Sequence, residues 1–369
     1  MRVLSLIIVG ICLVAVVAGW FHGRGGDDTT GQIFPVRQII VTGTGNTLAT
    51  VAAQVQDPRK FNYDPVSRRA VSHATLVIEG ELQLGREGDP ESGEILELAT
   101  ELCGDLKIRV PSGGAFRMYH SKLRTVGQIM TPGACSRGYS MFVDGSLTMV
   151  DSHVSYISGS RSESLRRNAE AVIRRSTFSY CDGNALKLVD VDGGRIVVDD
   201  SDFQGRGNWG VVVQGSSGAP VQIRNCVLEG QIGAVFVTGE AAHVQLLDCV
   251  LGKGGIVFHG NSGKVEVAST RRVKVVDARG APPKPGVLVR AASGPRSAVP
   301  FKTKAKTDDR GVAELVVTDW VARPGAASRL EDRNTVGPLA LSLDARDRVV
   351  DTGVQLMPQS GDTVELVLP

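Results

Sequence analysis

The chain reads as an all-β protein: a solenoid of stacked coils, with a short capping helix ahead of it and a small antiparallel β-sandwich behind. Three observations predict this. One short pattern recurs between Gly145 and Thr270 at nearly constant spacing, its apolar residues alternate as strand residues do, and the period stops where a different, hairpin-like pattern begins.

The recurring pattern reads "LTMVDSHV", "AVIRRSTF", "IVVDDSDF", "VQIRNCVL" and "VQLLDCVL". A small residue near the end of each serves as a marker: Ser152, Ser176, Ser201, Cys226 and Cys249, with successive gaps of 24, 25, 25 and 23. A further copy, "FRMYHSKL", places Ser121 in the same column 31 residues before Ser152, the surplus being held in "GQIMTPGACSRG". Three residues before the marker stand Met118, Met149, Ile173, Val198, Ile223 and Leu246, and two after it stand Leu123, Val154, Phe178, Phe203, Leu228 and Leu251. Both columns are apolar and face a core. The column just before the marker (His120, Asp151, Arg175, Asp200, Asn225, Asp248) is polar throughout and points to water. A second strand follows in each coil, "ALKLV", "GVVVQ", "AVFVT" and "GIVFH", with Leu186, Val211, Val235, Ile256 and Leu188, Val213, Val237, Phe258 as its inward columns. Gly and Asp clusters make the corners.

Coils of this length, each with several short strands and no helix, stack like residues one above another at the ~4.8 Å of paired strands. In this the sequence resembles the right-handed parallel β-helix proteins, the pectin-lyase-like superfamily of pectate lyases, polygalacturonases and many surface proteins. The resemblance covers residues 74 to 270 or so. It implies the fold and leaves function open, because enzymes and inert spikes share it.

Residues 1–21 carry Arg2 and an uncharged apolar run ending in Trp20, which reads as a signal sequence or a membrane anchor and predicts export. Residues 22–45 read as a linker. In residues 46–271, the capped parallel β-helix, Asn46 is the expected N-cap of a helix that places Leu48, Val51, Ala52 and Val55 on one face before Pro58. Such a helix would cover the open end of the coil stack. After Thr270 the next coil would bury Arg272 unpaired, so the period ends and residues 272–369 read as the sandwich. "VVDARGAPPKPGVLV" and "KTDDRGVAELVV" are similar to transthyretin-like or carboxypeptidase-regulatory-like modules, a resemblance that implies a structural or adhesive role.

Composition narrows function mainly by exclusion. With 42% hydrophobic residues, 22% charged residues and a formal net charge of +2, nothing marks a nucleic-acid binder. Asp199, Asp200 and Asp202 form the densest carboxylate group, and with Arg175 they are the candidate catalytic set should the chain be an enzyme. The polygalacturonases resembled here carry an Asp pair followed by Gly-His-Gly and Arg-Ile-Lys. Asp199 and Asp200 match the pair, Phe258-His259-Gly260 is the only similar later site, and Arg-Ile-Lys is absent. The competing reading is a ladder of alternating charge, Asp151, Arg175 and Asp200, on successive coils. The histidines show no ligand spacing and no metal site or cofactor is expected; Asp190, Asp192, Asp199 and Asp200 supply the hard oxygens Ca2+ takes, but turn-favouring Asp explains them equally.

Arg166, Arg167 and Arg175, with Arg161 and Arg174 nearby, form a basic cluster suited to an acidic glycan or a headgroup surface, or to plain solvation beside Glu163 and Glu170. Cys226 and Cys249 share the marker column and are expected to be reduced, buried thiols. Lys187, Val212, Phe236 and Val257 form an outward column flanked by Trp209 that asks for a cover, either the sandwich, a loop or a second subunit, or else serves as a sugar platform. Arg166, Arg167, Arg175, Trp209 and Phe236 are therefore the candidate binding residues. Two functions follow: a non-catalytic extracytoplasmic scaffold binding a carbohydrate or cell-envelope polymer and held to the membrane at its amino terminus, or a polysaccharide lyase or glycoside hydrolase.

Overall fold

The computed structural model describes residues 37–100, 106–126, 138–155, 157, 164–181, 183–239, 241–260, 262–295, 297, 299–324, 331–345, 348–356 and 363–368. The expected signal or anchor, the first part of the linker, and Arg161, Glu163, Cys103 and Cys135 lie outside these residues. Among the described residues no helix is long and apolar enough to cross a membrane.

Three sheets run the length of a parallel solenoid. Each coil adds one strand to sheet B, turns a tight corner into sheet C, and passes through a wider corner into sheet A. One coil is Glu170–Arg174 (B), Thr177–Cys181 (C) and Leu186–Asp192 (A). Strand pairing reproduces the sequence columns residue for residue. Met118, Met149, Ile173, Val198, Ile223 and Leu246 stand in one register across sheet B. Leu123, Val154, Phe178, Phe203, Leu228 and Leu251 do so across sheet C. Within that second column the Phe178 and Phe203 rings stack at 4.8 Å between centroids.

The corner between sheets B and C explains the polar column. His120, Asp151, Arg175, Asp200, Asn225 and Asp248 all have φ between 46° and 54°. That left-handed conformation penalises a Cβ, and Asn, Asp and His tolerate it best among side chains. Water exposure is thus only half the reason for the column's composition. The marker beside it forms a hydroxyl ladder. Ser152 N–H donates to Ser176 Oγ (3.2 Å) and Ser176 N–H to Ser201 Oγ (3.1 Å), while each hydroxyl donates to the carbonyl two residues back, as Ser176 does to Arg174. Glu94 heads this column, its N–H bonded to Ser121 Oγ at 3.0 Å. Cys226 and Cys249 continue it as unlinked thiols, Cys226 buried and Cys249 partly so.

At the amino end, residues expected in the linker already build the solenoid. Gln38–Val41 is the first strand of sheet A, burying Ile39 and Val41. The helix Leu48–Val55 covers the core with Leu48 and Val51. Its N-cap is Thr47, reciprocally bonded with Thr50, and not Asn46 as the residue type suggested. Asn46 is committed elsewhere: buried, it donates to the carbonyls of Thr42 and Glu81 and accepts from Gln54.

At the carboxy end the period stops because a strand fails to turn. Lys264–Val276 pairs in parallel with His243–Leu247, passes the expected corner at Ser269 and Thr270 without bending, and continues through the expected boundary at 271/272. Along its other edge, Val265 to Lys274 pair antiparallel with Val312–Pro324, around a bulge at Asp319. Arg271 is buried and reaches Asp319 at 3.0 Å; Arg272, the residue expected to be trapped, is exposed and paired with Glu314. Trp320, just past the bulge, joins the solenoid core. Beyond it, Val273, Val275, Leu315 and Val317 pack with Val289, Leu341 and Leu343 of a four-stranded antiparallel sheet D, formed by Lys302–Lys306, Leu288–Ser293, Leu339–Ala345 and Arg348–Leu356.

Candidate functional site

Sheet A presents an outward column that can be followed over six coils. Phe142, Ser164, Lys187, Val212, Phe236 and Val257 pair in register, each with the next. At strand spacing the column spans ~24 Å. Two aromatic assemblies lie along it. The Arg166 guanidinium sits 4.6 Å from the Phe142 ring centroid, and its other contact is a long ion pair to Asp144 at 3.9 Å. Further along, Trp209 stacks on Phe236 at 4.8 Å and 22°, and Phe236 faces His259 at 6.3 Å. Gly233 makes the first stack fit, since a Cβ there would stand 2.5 Å from the Trp209 ring. Part of the cover that the apolar stripe calls for therefore comes from Trp209 of the same sheet, while the carboxy-terminal strands extend sheet B.

Lys187 lies between the two assemblies. Burial, and then the charge of Arg166, hold its ammonium below the usual lysine range. The face thus carries a cation, Arg166, at one end, a desolvated amine in the middle and stacked rings at the other. Such a strip suits a long ligand with both charge and flat apolar faces. Of the residues singled out in the sequence, Arg166, Trp209 and Phe236 belong to this face. Arg167 is exposed in the turn after Ser164–Leu165, and Arg175 stands on the corner between sheets B and C.

The candidate carboxylates are dispersed by comparison. Arg175 donates to both Asp151 oxygens, from Nε at 2.6 Å and Nη2 at 2.8 Å, and holds that carboxyl below the usual range. Asp199 ends a sheet B strand and accepts from Asn225 at 3.0 Å. Asp200 occupies the left-handed corner. Asp202 opens a sheet C strand, with Oδ1 buried and unpartnered. Asp192 caps a short turn through Gly194 N–H, and among the described residues no group of three or more His, Cys, Asp or Glu is placed to hold a metal ion.

No protein-family model, curated protein or solved structure matches this chain.

Sequence reasoning missed a second polar site on sheet C. His153 Nε2 lies 3.0 Å from Ser179 Oγ, and burial together with Lys122 and Arg124 depresses the imidazole pKa. Two coils back, the buried Glu97 is clasped by Arg69 and Arg124. His153 and Ser179 are 26 residues apart, so the diagonal across neighbouring coils was open to prediction once sheet C had been placed. Phe142 was missed for a different reason: the irregular gap before Ser152 conceals its register with Lys187.

Proposed function

We propose that this chain is a non-catalytic binding scaffold outside the cytoplasm, of the right-handed pectin-lyase-like kind, taking an extended carbohydrate or cell-envelope polymer along the outer face of sheet A. The observation that carries this reading is the single register joining Arg166 over Phe142, Lys187, and Trp209 on Phe236. The apolar run of residues 1–21 would hold the scaffold at a membrane, and the carboxy-terminal layers, similar to transthyretin-like or carboxypeptidase-regulatory-like modules, would brace it.

A polysaccharide lyase or hydrolase is the second reading, and Lys187 favours it. A desolvated lysine with a lowered pKa in a binding face is the kind of group that abstracts a proton. Catalysis also needs an acid and a charge stabiliser around one point, and Asp199, Asp200 and Asp202 sit on different faces of the coil.

The test is incubation of the protein with acidic and neutral polysaccharides, reading both retention on the polymer and release of unsaturated or reducing ends. The expected result is retention on acidic polymers without new ends, weakened at least tenfold by Arg166→Ala combined with Trp209→Ala. Absence of retention on every polymer contradicts the scaffold reading. New ends that vanish in Lys187→Met establish the enzyme reading instead.

A further inference from the structure

Sheet D carries a row of lysines on its edge strand. In the strand Lys302–Lys306 the residues alternate exposed and half-buried, so Lys302, Lys304 and Lys306 all project from the outer face. Successive lysines are ~7 Å apart along the strand. Among the described residues none of the three forms an ion pair, whereas on the opposite layer Arg272 is matched across strands to Glu314 and Lys274 to Glu365. Their cross-strand partners are Ala292, Arg290 and Leu288. Lys304 therefore stands directly opposite Arg290, an arrangement of like charges that disfavours the sheet. Arg290 is relieved on its other side by Asp344, at 2.6 Å; among the described residues Lys304 has no such partner. In the turn that follows, Asp308 is spent on the backbone N–H groups of Arg310 and Val312.

We infer that this row is a docking edge for an anionic lipid headgroup surface. Lysine is a strongly hydrated point charge on a flexible stem, while recognition of one defined anion favours the planar fork of arginine and aromatic platforms. Three exposed lysines in one row suit a diffuse layer of negative charge. On such a surface each is worth roughly fivefold in affinity, and the attraction fades within about a Debye length. Lysine on an edge strand also discourages strand pairing between molecules, and the test separates that role from docking.

The full chain is reconstituted with phosphatidylcholine vesicles, with or without phosphatidylglycerol, and acylation of each lysine by an amine-reactive reagent is followed by mass spectrometry. Lys253, exposed on the solenoid, is the internal reference. The expected result is that acylation of Lys302, Lys304 and Lys306 slows severalfold relative to Lys253 on the anionic vesicles alone and recovers at high salt. Each single Lys→Gln change should weaken protection of the remaining two, by up to roughly fivefold. Equal rates on both vesicles overturn the proposal. So does protection by polygalacturonate with none on vesicles, which would move the row to a glycan. The variant K302Q/K304Q/K306Q, checked for folding by its melting temperature, supplies a second readout. Its Lys302–Lys306 amides should exchange equally fast on both vesicles, unlike those of the wild type; self-association of this variant, with lipid-independent exchange in the wild type, would leave the row as edge protection only.

Discussion

Ser176 shows what one residue does in a stacked coil. Its hydroxyl accepts Ser152 N–H and donates to Arg174 C=O, so it satisfies a buried donor in the preceding coil and an acceptor in its own. Ser176→Ala should cost ~1–3 kcal/mol in denaturant titration, the penalty of an orphaned buried donor. Ser176→Cys should cost less, because Cys226 already bonds to Arg224 C=O from the same column. The thiol pair titrates unevenly: its mutual hydrogen bond and burial push Cys226 up, and the same bond lowers Cys249. Charge at single residues is equally testable. His243 and Lys264 converge on Glu266, and the hydrogen bond from His243, with the charge of Lys264, drives its pKa from 4.5 to about 2. A depressed carboxyl pKa stabilises the fold fully above 4.5, and that contribution disappears as the pH falls from 4.5 to about 2. Solvent screening keeps it on the order of 1 kcal/mol. Wild type should therefore exceed Glu266→Gln in stability at pH 6, and the two should converge near pH 2; an equal gap at both would assign the stabilisation to something other than this ionisation. On sheet D, Lys304→Glu should raise stability by ~0.2–1 kcal/mol, since it replaces a like-charge pair with an opposite one facing Arg290.

At the scale of elements, strands were legible wherever a column repeated. Met149, Ile173 and Val198 announce their register because a coil cannot slip without exposing all of them. Corners were legible as polar, but their left-handed backbone was not: Asp and Asn favour such corners, water and turns alike, and Arg175 obscures the preference. The helix start was misplaced by one residue because Asn46 and Thr47 both cap well, and only the tertiary partners of Asn46, Thr42, Glu81 and Gln54, decide between them. The straight run of Lys264–Val276 was hidden because "ASTRR" still resembles a corner; what holds it straight is the antiparallel partner Val312–Pro324, far off in sequence. Two consequences can be measured. Phe203→Ala should cost ~3–5 kcal/mol, as removal of a buried ring does. Because Phe203 stacks on Phe178 in the neighbouring coil, hydrogen exchange should rise in Thr177–Cys181 as well as Asp202–Gly205; a rise confined to the latter would show that coils fold independently. Asp319→Ala leaves Arg271 without the carboxylate it reaches and should cost ~3–5 kcal/mol, more than Glu314→Ala at the exposed pair nearby.

At the scale of the whole molecule, two strands are shared between the two cores. Lys264–Val276 contributes Val265 to the solenoid core and Val273 and Val275 to the second, and Val312–Pro324 repeats this with Trp320 and Leu315. The candidate face was partly legible for the same reason as the fold: Lys187, Val212, Phe236 and Val257 form a column, and columns are what a period reveals. Arg166 over Phe142 and the ring of Trp209 laid on Phe236 are side-chain events across coils, and no spacing announces them. The proposed polymer would lie along sheet A and span several coils. The most direct measurement is the affinity of the full chain for acidic oligosaccharides of increasing length. Affinity should climb with length and level off once the oligomer covers roughly 24 Å, the run from Phe142 to Val257. Affinity already saturated by a single sugar unit, or absent at every length, would contradict it.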